Sequence, residues 1–189
     1  TVNAGDTPEY TGETPAKPAD KTYIYVFKGW TPEITEAAED VTYTAEYEAV
    51  EFRFTSASLY LESNTSIKFK VRKDIIDDES GFTGVYAKFL FHDTEYVVEG
   101  ELDEGEGKYV FLFDDIQPHF YDDTVYATLY GTYEGKVYTS KTVEYGVYKY
   151  CDNMLKSTDA QDNPAFKTML VDLLNYGAAD RRLVRKCGL

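Results

Sequence analysis

Histidine, cysteine, methionine and tryptophan are all scarce in this chain, at two, two, two and one among 189 residues. Two histidines, His92 and His119, far apart in sequence and unsupported by any closely spaced cysteine pair, fall short of the three or four ligands a zinc site requires. They read as ordinary surface imidazoles. Basic residues are also in short supply: 19 Lys and Arg face 34 Asp and Glu, a formal net charge of −15. That balance excludes nucleic acid, whose phosphates need clustered cations, and it disfavours anionic lipid. No stretch of 18 apolar residues occurs, so direct membrane insertion is not expected. G-x-S-x-G, P-loop, dinucleotide-fingerprint and H-E-x-x-H motifs are absent, and no catalytic residue is assigned. The chain opens TVNAGDTPEY with neither an initiator Met nor a signal peptide, and reads as a piece of a longer protein whose anchor and sorting signals lie outside it.

What is plentiful is aromatic surface. Aromatics make up 16% of residues and tyrosines number 18, a composition that suits strands, where Tyr packs its ring and keeps its hydroxyl wet. The length fits one large domain or two small ones. Residues 1–20 hold three of the six prolines and are expected to be irregular, with at most one short strand. TYIYVFKGW (22–30) reads as a strand, TPEI as a turn around Pro32, and VTYTAEYEAV (41–50) as a half-buried strand. In the last of these, Val41, Tyr43, Ala45 and Tyr47 share one face, and Thr42, Thr44 and Glu46 share the other. The lone Trp30 is expected to cap a small core beside Tyr43 and Tyr47, with Gly29 ending the strand sharply.

The ordered series F-x-G-W, T-P-E-I and D-V-T-Y-T-A-E-Y resembles the Listeria–Bacteroides repeat, the internalin-type B-repeat group of bacterial surface proteins. The resemblance covers 1–49 and implies a β-grasp-like module. In that family a first strand precedes the position of TVNAGD, so 1–49 is expected to be a partial module with an exposed or leaning sheet edge. Only EAVE separates Tyr47 from Phe52, too short and β-prone for a flexible tether, so two domains in a nearly fixed relation are expected.

From 51 to 145 the sequence offers strand candidates at 52–61, 66–72, 84–92, 95–101, 108–113, 124–133 and 136–144. Turn signals separate them at Ser63-Asn64, Asp77 to Gly81, Asp93-Thr94, Asp103 to Gly107, Asp122-Asp123 and Glu134-Gly135. This spacing predicts a seven-stranded immunoglobulin-like β-sandwich over 50–189. In SIKFKVRK, Ile67, Phe69 and Val71 alternate with Lys68, Lys70 and Arg72, one face core and the other wet. Pairing Tyr133 with Lys136 puts Val125, Ala127 and Leu129 on one face of the last hairpin. Tyr126, Tyr130, Val137 and Val143 fall on the other. Both faces then need cover. It is expected from a C-terminal helical pair within about 146–182, packed on one sheet. Its segments, 147–157 and 164–180, carry the apolar stripes Val147, Tyr150, Cys151, Met154, Leu155 and Phe166, Met169, Leu170, Leu173, Leu174. Asn163 before Pro164 is an N-cap and N1 pair, and Asn175-Tyr176-Gly177 is expected to loosen the second helix. The four basic residues of RRLVRKCGL suit a helix C-terminus. YATLYGTYEGKVYTS, YGVYKYCDNML and FKTMLVDLLNYGAAD together resemble a module found in large secreted proteins of gut Firmicutes. That likeness, over about 53–180, implies compartment and architecture and no chemistry.

Cys151 and Cys187 leave two readings open, a disulfide or two thiols. In an antiparallel helical pair Cys151 lies opposite roughly residue 170, which leaves Cys187 about 25 Å further along at about 1.5 Å per residue. A bridge needs Cα atoms within about 7 Å, which favours a buried, inert Cys151. Oxygen-rich loops at Asp77-Asp78-Glu79, Asp103 to Glu106 and Asp122-Asp123 make calcium conceivable, but none has EF-hand spacing and solvated turns are the simpler account. No other cofactor is expected. The asparagines at 3, 64, 153, 163 and 175 all fall outside strand interiors, which argues against lysine–asparagine isopeptide crosslinks. Sugar binding would need bare rings. Tyr126 and Tyr130 are assigned to the helix-covered face and Tyr138 to the core, leaving Tyr60, Tyr86, Tyr121 and Tyr148 as exposed candidates with no pattern among them.

These readings converge on a non-catalytic segment of an extracellular or cell-surface bacterial protein, a spacer or adhesion module. Its expected partners are other domains of the same polypeptide and a host or polysaccharide surface. The alternative is a carbohydrate-binding module or an ancillary domain of a glycoside hydrolase.

Overall fold

The computed structural model describes residues 2–18, 23–62, 64–77 and 80–188. It is mainly β, with antiparallel sheets and a helical C-terminus. The chain divides into two compact units, Thr1–Phe52 and Arg53–Leu189.

The first unit is built on two antiparallel strands, β1 (Tyr23–Thr31) and β2 (Thr44–Glu51). Thr22, the expected start of the first strand, lies outside the described residues. In β2, Ala45 and Tyr47 are half-buried while Thr44 and Glu46 are exposed, the alternation its sequence carries. The ladder slips between Phe27 and Gly29, and Gly29 sits at φ +153°, where a side chain would be strained. The bulge sets Trp30 against Tyr10 at 4.9 Å and Phe27 at 5.6 Å. Tyr47 joins this cluster through Phe27, and Trp30 stands opposite Ala45, midway between Tyr43 and Tyr47 along the chain. Ahead of β1, Lys17 forms an isolated bridge to Tyr25 and lays its ammonium 3.8 Å from that ring.

The second unit is a β-sandwich. Its front sheet runs β3 (Ser56–Leu61), β4 (Thr65–Arg72), β8 (Lys108–Phe113), β7 (Glu101–Asp103). Its back sheet runs β10 (Lys136–Thr139), β9 (Val125–Tyr133), β5 (Phe82–Phe91), β6 (Thr94–Glu99), with β11 (Val143–Tyr145) also paired to β9. Of the turn signals between strands, Ser63, Asp78 and Glu79 lie outside the described residues. Phenylalanines interlock across the interior. Phe69 of β4 meets Phe89 of β5 at 5.2 Å, and Phe89 meets Phe113 of β8 at 5.3 Å. Ile67, Phe69 and Val71 are fully buried, while Lys68 and Lys70 keep partial access to water and Arg72 is exposed.

Two expected strands are each split, for separate reasons. The 95–101 candidate ends at Gly100, where the chain leaves the back sheet as β6 and enters the front sheet as β7. A Cβ on Gly100 would stand 2.7 Å from the Phe111 ring, so only glycine permits the crossing. The 136–144 candidate breaks at Ser140, whose hydroxyl accepts the Leu129 amide while its own amide donates to the Leu129 carbonyl. Pairing shifts there from Thr139↔Tyr130 to Val143↔Ala127. A one-residue slip turns every later side chain to the opposite face. Val143 therefore joins the core-side row with Ala127, not the outer row with Tyr126 where uninterrupted pairing would put it.

The helices follow: α1 (Lys73–Ile76), α2 (Val147–Leu155), α3 (Thr158–Asp162) and α4 (Pro164–Cys187). Asn163 accepts the Phe166 amide at 3.0 Å as N-cap, with Pro164 first in the helix. The helical pair meets the sandwich at β3, the edge of the front sheet, and at the short 3₁₀ turn Pro118–Phe120. The outer face of the back sheet is left open, contrary to the expectation that helices cover it. Tyr126 is 41% exposed and Val137 72%. Nor does Gly177 loosen α4. It is a contact point, with room for no Cβ: one would lie 2.9 Å from the Pro118 carbonyl and 2.7 Å from the Tyr121 ring. The helix runs on to Cys187 and ends at Gly188 in the left-handed region, φ +71°.

Candidate functional site

The two histidines come together. Phe120 packs against both rings, 4.4 Å from His92 and 4.1 Å from His119. His92 Nε2 lies 3.1 Å from Asp123 Oδ2, and His119 Nδ1 lies 3.0 Å from Asp180 Oδ2, which also accepts the His119 amide. Arg181 completes the assembly. Its Nε donates to the His119 carbonyl at 2.7 Å, Nη1 sits 2.9 Å from Asp122, and the buried Nη2 lies 3.3 Å from Asp123. These are therefore not isolated surface imidazoles. They belong to one clasp that ties the end of β5 and the 118–123 corner to α4. The ring of Tyr121, expected to be exposed, is 4% exposed beneath Gly177, and its hydroxyl meets Thr65 Oγ1 at 2.6 Å. Burial raises the Tyr121 pKa.

Each of the other candidate tyrosines has a defined place. Tyr86 and Tyr130, opposite one another on β5 and β9, stack face to face at 5.3 Å with planes 6° apart. Lys88 Nζ stands 5.5 Å from the Tyr130 ring. Tyr60 has the Lys68 ammonium 3.5 Å above its ring. Its hydroxyl bonds to Glu62, which raises its pKa. Tyr138 packs on Phe82 and Tyr133. Tyr148 is exposed on α2.

The second unit also carries a cleft that no sequence motif marked. Its larger part, about 630 Å³, is lined by Tyr60 and Lys68, by Val98 and Glu99 of β6, by Glu101 to Glu104, and by Val110 and Leu112 of β8. A second cavity of about 350 Å³ is lined by Tyr96, Phe113, Asp114, Asp115 and Phe120 among others, and it shares Val98 and Leu112 with the first. The two meet at β8. Among the described residues Lys68 is the only Lys or Arg lining either part. Asp114 accepts a hydrogen bond from Ser66 of β4 and Asp115 one from the nearby Gln117, and Asp103 accepts the Glu106 amide at 3.1 Å. Sequence spacing could not reveal this cleft, because it depends on the Gly100 crossing that brings β6, β7 and β8 together. The acidic run 99–106 was its one local trace, and it reads equally well as a solvated turn.

Both cysteines are free: Cys151 is buried on α2 and Cys187 exposed at the end of α4. Burial pushes the Cys151 thiol up to about 11, which keeps it protonated and unreactive near neutrality. Among the described residues no three His, Cys, Asp or Glu side chains converge as metal ligands; Asp78 and Glu79 of the first acidic loop lie outside them. Among the same residues no helix is long and apolar enough to cross a membrane. No protein-family model, curated protein or solved structure matches the chain.

Proposed function

We propose that this chain is a non-catalytic spacer or adhesion segment of a larger bacterial protein, extracellular or displayed at the cell surface. One observation carries the reading: the side chains best suited to chemistry are engaged in holding the second unit together. His92, His119, Asp123, Asp180 and Arg181 form the clasp on α4, and Cys151 is a sealed core thiol. The resemblance of 1–49 to a bacterial surface repeat, and the acidic charge that keeps neighbouring chains apart, support the same reading. The rival carbohydrate-binding reading is weakened because Tyr60 is covered by Lys68 and Tyr86 is stacked on Tyr130, which removes ring faces a sugar would need.

The test couples the chain to beads and measures their retention on mucin, host-matrix, starch and cellulose surfaces, while assaying the supernatant for released sugar or peptide. Retention on mucin or matrix without product supports adhesion, and no retention anywhere narrows the reading to spacing. Product release above a heat-denatured control overturns it. Selective retention on starch or cellulose favours the carbohydrate-binding alternative.

A further inference from the structure

The front sheet has an unfilled strand position. β7 is three residues long and pairs only with Lys108, Tyr109 and Val110 of β8. The same edge of β8 at Phe111, Leu112 and Phe113 has no neighbouring strand among the described residues, although its other edge is paired with β4 throughout. Both parts of the cleft reach Leu112, and the smaller also reaches Phe113, so there is open volume along this stretch.

We propose that this cleft docks an extended peptide with alternating basic and apolar residues, which adds beside Phe111–Phe113 and continues the line of β7. Backbone pairing supplies the directional contacts, since an unpaired strand edge presents amides and carbonyls to any extended chain that reaches it. An added strand turns alternate side chains to opposite sides. One set turns to the side of Leu102, Phe111 and Phe113; the other turns to the face that Val110 and Leu112 share with Glu101, which stands opposite Val110. Glu99 and Glu104 line the same cleft, and none of the three glutamates has an ion-pair partner among the described residues. Charge selects the occupant. The only Lys or Arg among the described lining residues, Lys68, rests on Tyr60, and a cleft walled by carboxylates focuses attraction on cations. A glycan fits less well because the Tyr60 ring is already covered. The unpaired edge spans about 10 Å at about 3.4 Å per residue, so a hexapeptide overlaps it and the acidic rim together. The inference goes beyond the spacer or adhesion reading and stands without it.

The test titrates isotopically labelled protein with acetylated and amidated Lys-Val-Lys-Val-Lys-Val and follows backbone amide signals. Expected are shifts centred on Leu112 and Phe113 and affinity that falls with added salt. Weakening of roughly tenfold or more is expected in the triple variant Glu99→Gln, Glu101→Gln, Glu104→Gln, three charge contacts each worth a modest factor. Those surface substitutions leave the fold intact, which unchanged signals from β4 and β9 verify. The Glu-Val-Glu-Val-Glu-Val peptide should not bind, and methylating alternate backbone nitrogens of the basic peptide should abolish binding. The proposal is overturned if the basic peptide leaves 111–113 unshifted, or if the methylated peptide binds equally well, which would mean charge alone. A glucosamine hexamer occupying the cleft where the peptide does not would overturn it too.

Discussion

At the residue scale, one glycine and one thiol carry consequences out of proportion to their size. Gly177 lets the α4 backbone lie directly on the Pro118 carbonyl and the Tyr121 ring. Gly177→Ala improves intrinsic helix propensity, yet the added methyl has no space against backbone. It should lower unfolding free energy by about 1–3 kcal/mol, read by chemical denaturation. Cys151 and Cys187 should separate cleanly in a labelling assay. At pH 7 Cys187 reacts with a thiol reagent at the rate of an exposed cysteine, and Cys151 reacts only once denaturant is added. Because the folded thiol titrates near 11, above its unfolded value, the folded state holds the extra proton between the two. Stability from this residue is full below the unfolded pKa and falls as pH rises through 11. Glu106 has the opposite sign. The Lys70 hydrogen bond holds its carboxyl below the usual range, so its contribution is present above the ordinary carboxylate pKa and is lost as pH falls through the folded value. Lys70→Gln should raise the Glu106 titration midpoint seen by NMR.

At the element scale, what was legible in the sequence is what repeats locally. SIKFKVRK shows its buried and wet faces because a strand alternates every second residue, and Asn163-Pro164 announces a helix start because capping is a matter of three or four neighbours. The Ser140 slip had no such signature: a serine hydroxyl takes over one ladder bond, and the sequence on both sides still alternates as though nothing had happened. Unbroken alternation therefore puts Val143 on the face of Tyr126, whereas the slip pairs it with Ala127. Gly177 misled similarly, since helix propensity predicts loosening and only the corner packed across from it explains the glycine. The clasp was out of reach because His119 and Asp180 are 61 residues apart in the chain. Its importance for α4 is testable by hydrogen exchange. Arg181→Ala removes the contacts to the His119 carbonyl, Asp122 and Asp123 together. Amides of 178–187 should lose protection while β4 and β9 keep theirs; equal loss everywhere would show that the clasp supports the whole unit instead.

Over the whole molecule, the sandwich interior is organised about Phe69, which touches Phe54, Phe89 and Tyr145. Phe69→Ala should cost about 3–5 kcal/mol, measured by the loss of exchange protection across both sheets. The sandwich class was readable from seven strand candidates and their turns, because each strand carries its own pattern. The cleft was not, because its walls come from β3, β4, β6, β7 and β8 and exist only once the sheets are assembled. The same holds for the open outer face of the back sheet. Its apolar residues predicted a cover, whereas Tyr86 and Tyr130 shield one another and the helices lie elsewhere.

The single-residue passage at Gly100 also bears on where foreign sequence can be spliced into this molecule. A graft between Asp103 and Lys108 would enlarge a solvent-facing hairpin tip and leave both ladders in step. The same graft at Gly100 would lengthen the only stitch joining β6 to β7 and let the two sheets drift out of alignment.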